Sequence, residues 1–125
     1  MRVICAIRDL TDRKRAEQEL RLYREIFIHS TEAIEILDPQ GRYLEQNAAH
    51  RALMGYTDAE LQGQTPAIHL DGPTFARVHE DLGQSGRFVG EVRSQHKDGV
   101  VHDLELSVFT LRTPKDELLY YVGVE

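Results

Sequence analysis

Apolar and polar positions along the chain follow two periods, and the change falls at His29-Ser30. Val3-Ile4-Cys5-Ala6-Ile7 is a short apolar run suited to a strand, stopped at Arg8-Asp9. Asp9-Leu10-Thr11-Asp12 offers short acceptor side chains for a turn or helix N-cap, and good helix formers fill residues 13–27. Within them Ala16, Leu20, Tyr23 and Phe27 recur at steps of four, three and four, and Leu22 and Ile26 widen the stripe. Glu17 and Arg21 form a favourably oriented i, i+4 pair on the wetter side. This amphipathic helix fits either its own domain or a parallel partner helix, since two heptads leave both open.

After Ser30 the pattern alternates. Residues 33–37 read as a strand with Ile34 and Ile36 on one face, Asp38-Pro39-Gln40-Gly41 as a tight turn, and residues 42–46 as the returning strand. Asn47 is a good N-cap for a short helix ending at Met54, with Gly55 just beyond it. Thr57 and Glu60 have the spacing of a capping box for a second short helix. Asp71-Gly72-Pro73 opens a longer helix whose Phe75, Val78 and Leu82 lie on one face, with His79 beside Phe75. Residues 88–95, 100–111 and 118–124 read as strands. In the second of these His102, Leu104, Leu106 and Val108 share one face and Asp103, Glu105 and Ser107 the other. Two strands, three helices and three strands predict an α+β fold, an antiparallel sheet with its helices on one side.

Composition narrows the function. The 125 residues are enough for one core. The single cysteine, Cys5, excludes an internal disulfide framework and a multi-cysteine zinc site. No apolar run approaches a membrane span, and a cytoplasmic location is expected without membrane contact by this segment. Residues 1–29 carry seven Lys/Arg against five Asp/Glu, and residues 30–125 eight against sixteen. The second part is acidic and repels phosphate backbones, so no nucleic-acid partner is expected.

Asp38-Pro39-Gln40-Gly41 with Asn47-Ala48-Ala49, then Gly55-Tyr56-Thr57 with Glu60-Leu61 and Gly63, then Gly90-Glu91 with Lys97-Asp98-Gly99, follow in an order that resembles the PAS sensor family. Asp9-Leu10-Thr11 before Arg13-Lys14-Arg15-Ala16-Glu17 resembles the D-x-T exit motif and linker helix that follow a PAS core. The resemblance implies three parts: residues 1–8 as the tail strand of a preceding PAS domain, 9–29 as a linker helix, and 30–125 as a PAS core with a five-stranded antiparallel sheet around a small cavity. It also implies a sensory module of a two-component or diguanylate cyclase type protein. Such a module relays the state of its cavity through linker helices to an output domain of the same polypeptide, and pairs as a homodimer. A ligand-free dimerisation and spacer domain is one alternative, and a haem-based redox or gas sensor using His79 the second.

Inward periodicity makes Ile34, Ile36, Leu53, Phe75, Val78, His79, Leu82, Leu104, Leu106 and Val108 the expected pocket, with Asn47 a secondary contact. Asp9 and Thr11 are the expected relay clamp, Ala16, Leu20, Tyr23 and Phe27 the dimer seam, and Glu60 with Lys97 a structural salt bridge. The family makes haem or flavin conceivable cofactors, with His79 on the helix that supplies an axial histidine to haem-binding members. Adduct-forming flavin chemistry is excluded, because Gly63-Gln64-Thr65-Pro66-Ala67 stands where its cysteine motif would be. His29, His50, His69 and His96 have no local metal-ligand spacing, and no nucleophile motif or phosphate loop is present, so neither a metal site nor an enzyme is expected.

Overall fold

The computed structural model describes residues 2–125, with side chains described from Leu10 onward. Helix α1 (Arg2–His29) is followed by the hairpin β1 (Ile34–Leu37) and β2 (Tyr43–Gln46). Then come α2 (Ala48–Met54), α3 (Asp58–Leu61), a 3-10 turn (Pro66–Ile68) and α4 (Gly72–Ser85). Three strands close the chain, β3 (Arg87–Gln95), β4 (Val101–Arg112) and β5 (Leu118–Val124).

Local signals set most of these boundaries. Gly41 adopts φ 81° in the β1–β2 turn, where Asp38 Oδ1 accepts from the Gln40 and Arg42 N–H groups. Asn47 caps α2, and Gly55 ends it at φ 82°. The Thr57/Glu60 capping box is formed in both directions. Asp71 caps α4.

The start of the chain differs from expectation. Residues 3–7 continue α1, and Asp9-Leu10-Thr11 lies inside that helix rather than at a turn before it. A strand needs a neighbour for its N–H and C=O groups, whereas a helix satisfies them within the segment, and neither glycine nor proline interrupts residues 2–29. The segment expected as the tail strand of a preceding domain is thus helical in this structure.

The five strands form one sheet of order β2-β1-β5-β4-β3 with every neighbour antiparallel. Helices α2 to α4 carry the chain from the β2 edge to the β3 edge, so the β1–β5 contact joins the first and last strands. The main core, Leu70, Val78, Phe88, Val92, Leu106 and Val108, lies between α4 and the β3–β4 half of the sheet. A smaller cluster of Leu37, Tyr43 and Leu61 lies at the β1–β2 end. The outer face stays open, with Val89, Val101, Leu111 and Leu119 exposed.

On β1 the burial runs opposite to the sequence expectation. Glu35 and Leu37 are buried, while Ile34 and Ile36 are half-buried on the other face. Along a strand a one-residue change of phase exchanges the faces, and here the inward positions are Ala33, Glu35 and Leu37. On β2 an irregularity sets Ile36 against Glu45 but Leu37 against Tyr43, two residues of β2 for one of β1. Tyr43 and Gln46, three apart and destined for opposite faces of a regular strand, are both buried as a result.

Candidate functional site

Between α4 and the inner face of the sheet lies a cavity of about 340 Å³. Phe75, Val78, Leu82, Leu106 and Val108 supply apolar wall, and Glu35 from β1 brings a carboxylate. His79 also lines it but is exposed, its ring stacked at 21° against Phe75 with centroids 6.4 Å apart.

The sequence reading placed Phe75, Val78, His79, Leu82, Leu106 and Val108 in this pocket, and the structure brings these six together. It does not bring Ile34 and Ile36 there, for the strand-phase reason above. Leu53 on α2 is half-buried away from the lining, and Leu104 packs against the main core instead. Asn47 is 2% exposed, but as a staple rather than a ligand contact. Its Oδ1 accepts from the N–H groups of Ile34 (2.9 Å) and His50 (3.0 Å), and its Nδ2 donates to the Glu32 carbonyl (2.9 Å). One side chain thus ties the segment after α1 to the start of β1 and of α2.

Behind the cavity stands a group the sequence reading missed. Glu35, Tyr43, Gln46, His50, His69 and Ser94 are all buried, and they come from β1, β2, α2, β3 and the stretch just after the 3-10 turn. Gln46 Nε2 donates to the Tyr56 carbonyl and to Asp58 Oδ1, which leaves Gln46 Oε1 facing His50 Nδ1 at 2.7 Å. An amide oxygen only accepts, so Nδ1 carries the proton. His50 Nε2 then faces Glu35 Oε2 at 2.9 Å, although the atoms are not aligned as a hydrogen bond. Two lone pairs do not rest face to face at that distance, so a proton or another cation lies between them. Ser94 Oγ donates to Met54 Sδ at 3.2 Å and so accepts from His69 Nδ1 at 2.9 Å, leaving His69 Nε2 to accept from the Tyr43 hydroxyl.

Electrostatics follow from this packing. Burial, then the charge of Glu35, pushes the Tyr43 hydroxyl well above its ordinary range, so it remains a donor. Burial pulls His69 down to about 4 and keeps it neutral. Burial alone would raise Glu35, but its neighbours, His50 foremost, outweigh it and hold the carboxyl low. The cost falls on Glu125, which burial and the charge of Glu35 push up to about 9. Room for Glu35 comes from Gly123, its partner across β1–β5, where a Cβ would stand 2.5 Å from Glu35 Oε1.

The other expected residues lie elsewhere. Lys97 pairs with Glu60 on the surface, and Lys97 together with the Thr57 N–H pulls Glu60 down to about 2. Ala16, Leu20 and Tyr23 are exposed on α1, and Phe27 is half-buried. Thr11 lies within α1, and the side chain of Asp9 is outside the described residues. An axial haem ligand must present a nitrogen to iron inside the cavity, and His79 at the exposed rim, stacked on Phe75, does not fit that role.

A five-stranded antiparallel sheet of order 2-1-5-4-3, with short helices closing a cavity on one face, is matched by a family model described as PAS fold over residues 27–124. The chain belongs to the PAS-fold family. Several solved structures are similar. The PAS domain of a Colwellia psychrerythraea protein is 24% identical with a TM-score of 0.74, covering 84% of this chain and 92% of that one. A domain of a sensory box sensor histidine kinase/response regulator from Geobacter sulfurreducens is 24% identical with a TM-score of 0.71, covering 85% and 91%. An RNA-binding light-oxygen-voltage receptor is 18% identical with a TM-score of 0.75, covering 82% of this chain and 31% of that one. No curated protein sequence matches the chain. Among the described residues of this PAS domain, no helix is long and apolar enough to cross a membrane.

Proposed function

We propose that this PAS domain is a sensory module whose cavity takes a compact, mainly apolar small molecule with one hydrogen-bond donor or cationic group directed at Glu35. The observation that carries this reading is the cavity itself, about 340 Å³ of largely apolar wall with a buried carboxylate, near the small end of small-molecule sites. Its occupant acts on the connection Glu35–His50–Asn47, which reaches the Glu32 carbonyl three residues beyond α1. Binding transmits a signal only if the occupant prefers one arrangement of that junction over another. The module binds and relays rather than catalyses. Its output is a separate domain of the same polypeptide, of the histidine kinase or diguanylate cyclase type, and the similarity to a domain of a sensor histidine kinase supports the former.

A second reading, pairing of two copies through α1, rests on Leu20, Leu22, Tyr23 and Ile26, all exposed along that helix. Pairing and ligand sensing are compatible, whereas a spacer domain without a ligand has no use for the cavity.

The test is native mass spectrometry of the freshly purified chain together with a thermal-shift screen of small amines and amides. Val108→Phe, which adds a ring to the cavity wall, is the control. An extra mass or a raised Tm in the wild type, lost in Val108→Phe, supports the sensory reading. A bare mass and no shift in either protein contradicts it and leaves the spacer reading.

A further inference from the structure

The three groups that converge behind the cavity have the constitution of a metal site. Glu35, His50 and His69 each offer one ligand atom, all within 4.8 Å of one another, and all three residues are buried. They reach that point from β1, α2 and the stretch after the 3-10 turn, so the fold rather than a sequence motif assembles them.

Three observations go beyond proximity. First, both imidazoles are held by their far nitrogens, His50 Nδ1 by Gln46 Oε1 at 2.7 Å and His69 Nδ1 by Ser94 Oγ at 2.9 Å. Such outer partners fix the tautomer and aim the Nε2 lone pair, as around ligating histidines. Gln46 and Ser94 are themselves fixed, the one by Tyr56 and Asp58, the other by Met54. Second, Glu35 Oε2 and His50 Nε2 are fully buried side-chain atoms with no hydrogen-bond partner, although each faces the other. Buried polar atoms are ordinarily paired, and two acceptors turned toward one point call for a proton or a metal ion between them. Third, Gly123 leaves open the space that Glu35 fills, and Glu35 also lines the cavity, which gives an ion a way in.

We propose that Glu35 Oε2, His50 Nε2 and His69 Nε2 bind one Zn²⁺ ion in this chain. Two imidazoles and a carboxylate suit zinc and its neighbours, whereas an all-oxygen set would suit Mg²⁺ or Ca²⁺ and thiolates would suit softer ions. With zinc–ligand bonds of about 2.0–2.2 Å, tetrahedral ligand atoms stand roughly 3.4 Å apart, so small side-chain movements close the set. The Tyr43 hydroxyl, which donates to His69 Nε2 in the metal-free arrangement, gives up that position when the ion enters. Three protein ligands leave a fourth position for water.

The experiment strips the 125-residue chain with a chelator and titrates it with Zn²⁺, and with Co²⁺ as a visible probe. One ion per chain is expected, with the intense absorption of four-coordinate Co²⁺. His50→Gln and His69→Gln are expected to abolish it, and Ser94→Ala to weaken binding by about 10–100-fold. A competing adventitious site is offered by the half-buried His96 and His102, whose ring centroids lie 6.4 Å apart. The double variant His96→Gln/His102→Gln is expected to leave uptake unchanged. If a buried variant fails to fold, imidazole nitrogen NMR of the wild type decides. Zn²⁺ is expected to shift Nε2 of His50 and His69 while their Nδ1 atoms keep their protons. No uptake at about 100 μM Zn²⁺, uptake lost only with His96 and His102, or imidazole shifts confined to other histidines would each overturn the proposal.

Discussion

Replacing Gly123 by alanine tests whether Glu35 is held where the structure places it. Gly123 has no positive φ that would penalise a side chain, and alanine in a strand is ordinarily favoured over glycine by roughly 0.5–1 kcal/mol. Without Glu35, Gly123→Ala should therefore stabilise. With Glu35 present, the new Cβ stands 2.5 Å from Glu35 Oε1 and 2.8 Å from its Cγ, against ordinary contacts of 3.4 Å and more. The carboxylate must retreat by about 0.9 Å, a large step for a group only 2.9 Å from His50 Nε2. Removing one partner of a buried pair costs about 3–5 kcal/mol, and overpacking alone about 1–3. A net loss of about 2–3 kcal/mol is expected, with a fall in Tm on the order of 10 °C. Urea unfolding followed by circular dichroism at pH 7 reads this for Gly123→Ala, Glu35→Ala and the double variant. The cycle should give a coupling of about 2 kcal/mol or more, with Gly123→Ala neutral or stabilising once Glu35 is gone. An equal cost of Gly123→Ala in both backgrounds, or no cost in either, would refute the reasoning.

Two further outcomes follow from the same cluster. In the metal-free folded chain His69 takes a proton only near 4, whereas in the unfolded chain it does so near 6.5. The unfolded state therefore binds more protons between those values, and stability contributed by neutral His69 is lost as the pH falls through that window. The loss is up to about 3 kcal/mol. Urea midpoints from pH 7 to 4 should fall more steeply in the wild type than in His69→Asn, and parallel slopes would contradict the assignment. Asn47→Ala removes the α2 cap, about 1 kcal/mol, and the bonds to Ile34 and Glu32, for a total of about 2–3 kcal/mol. Asn47→Asp keeps the acceptor and loses only the donor to Glu32, so its midpoint should fall between wild type and Asn47→Ala.

The legible parts of this chain were those written in local sequence. Asn47, Gly55, Thr57 with Glu60, and Asp71 mark helix ends because caps act within three or four residues, and the alternation of Leu104, Leu106 and Val108 marks an inward face because β4 is long. The four residues of β1 were too few to set the phase, and two isoleucines flanking a glutamate favoured the wrong face. Nothing local tells that Glu35 is compensated by a histidine fifteen positions on. The bulge at β2 hid Tyr43 and Gln46 in the same way, since their spacing breaks the period of two on which inward faces are read. His50, His69 and Ser94 meet only through tertiary packing, so histidine spacing along the chain carried no sign of them. Periodicity picked out cavity-lining residues better on α4 and β4, where it runs for three or more positions, than on β1 or α2.

The central claim is that Glu35, at the inner end of the cavity, is connected through His50 and Asn47 to the end of α1. The most direct measurement is a comparison of backbone ¹H–¹⁵N spectra of the wild type and Glu35→Gln, which removes the charge and keeps the shape. The account predicts changes in the amides of His50 and of residues 26–31, across Asn47 and at least four positions from the substitution. Changes confined to residues 33–37 and their strand partners, with His50 and the last turn of α1 unmoved, would contradict it.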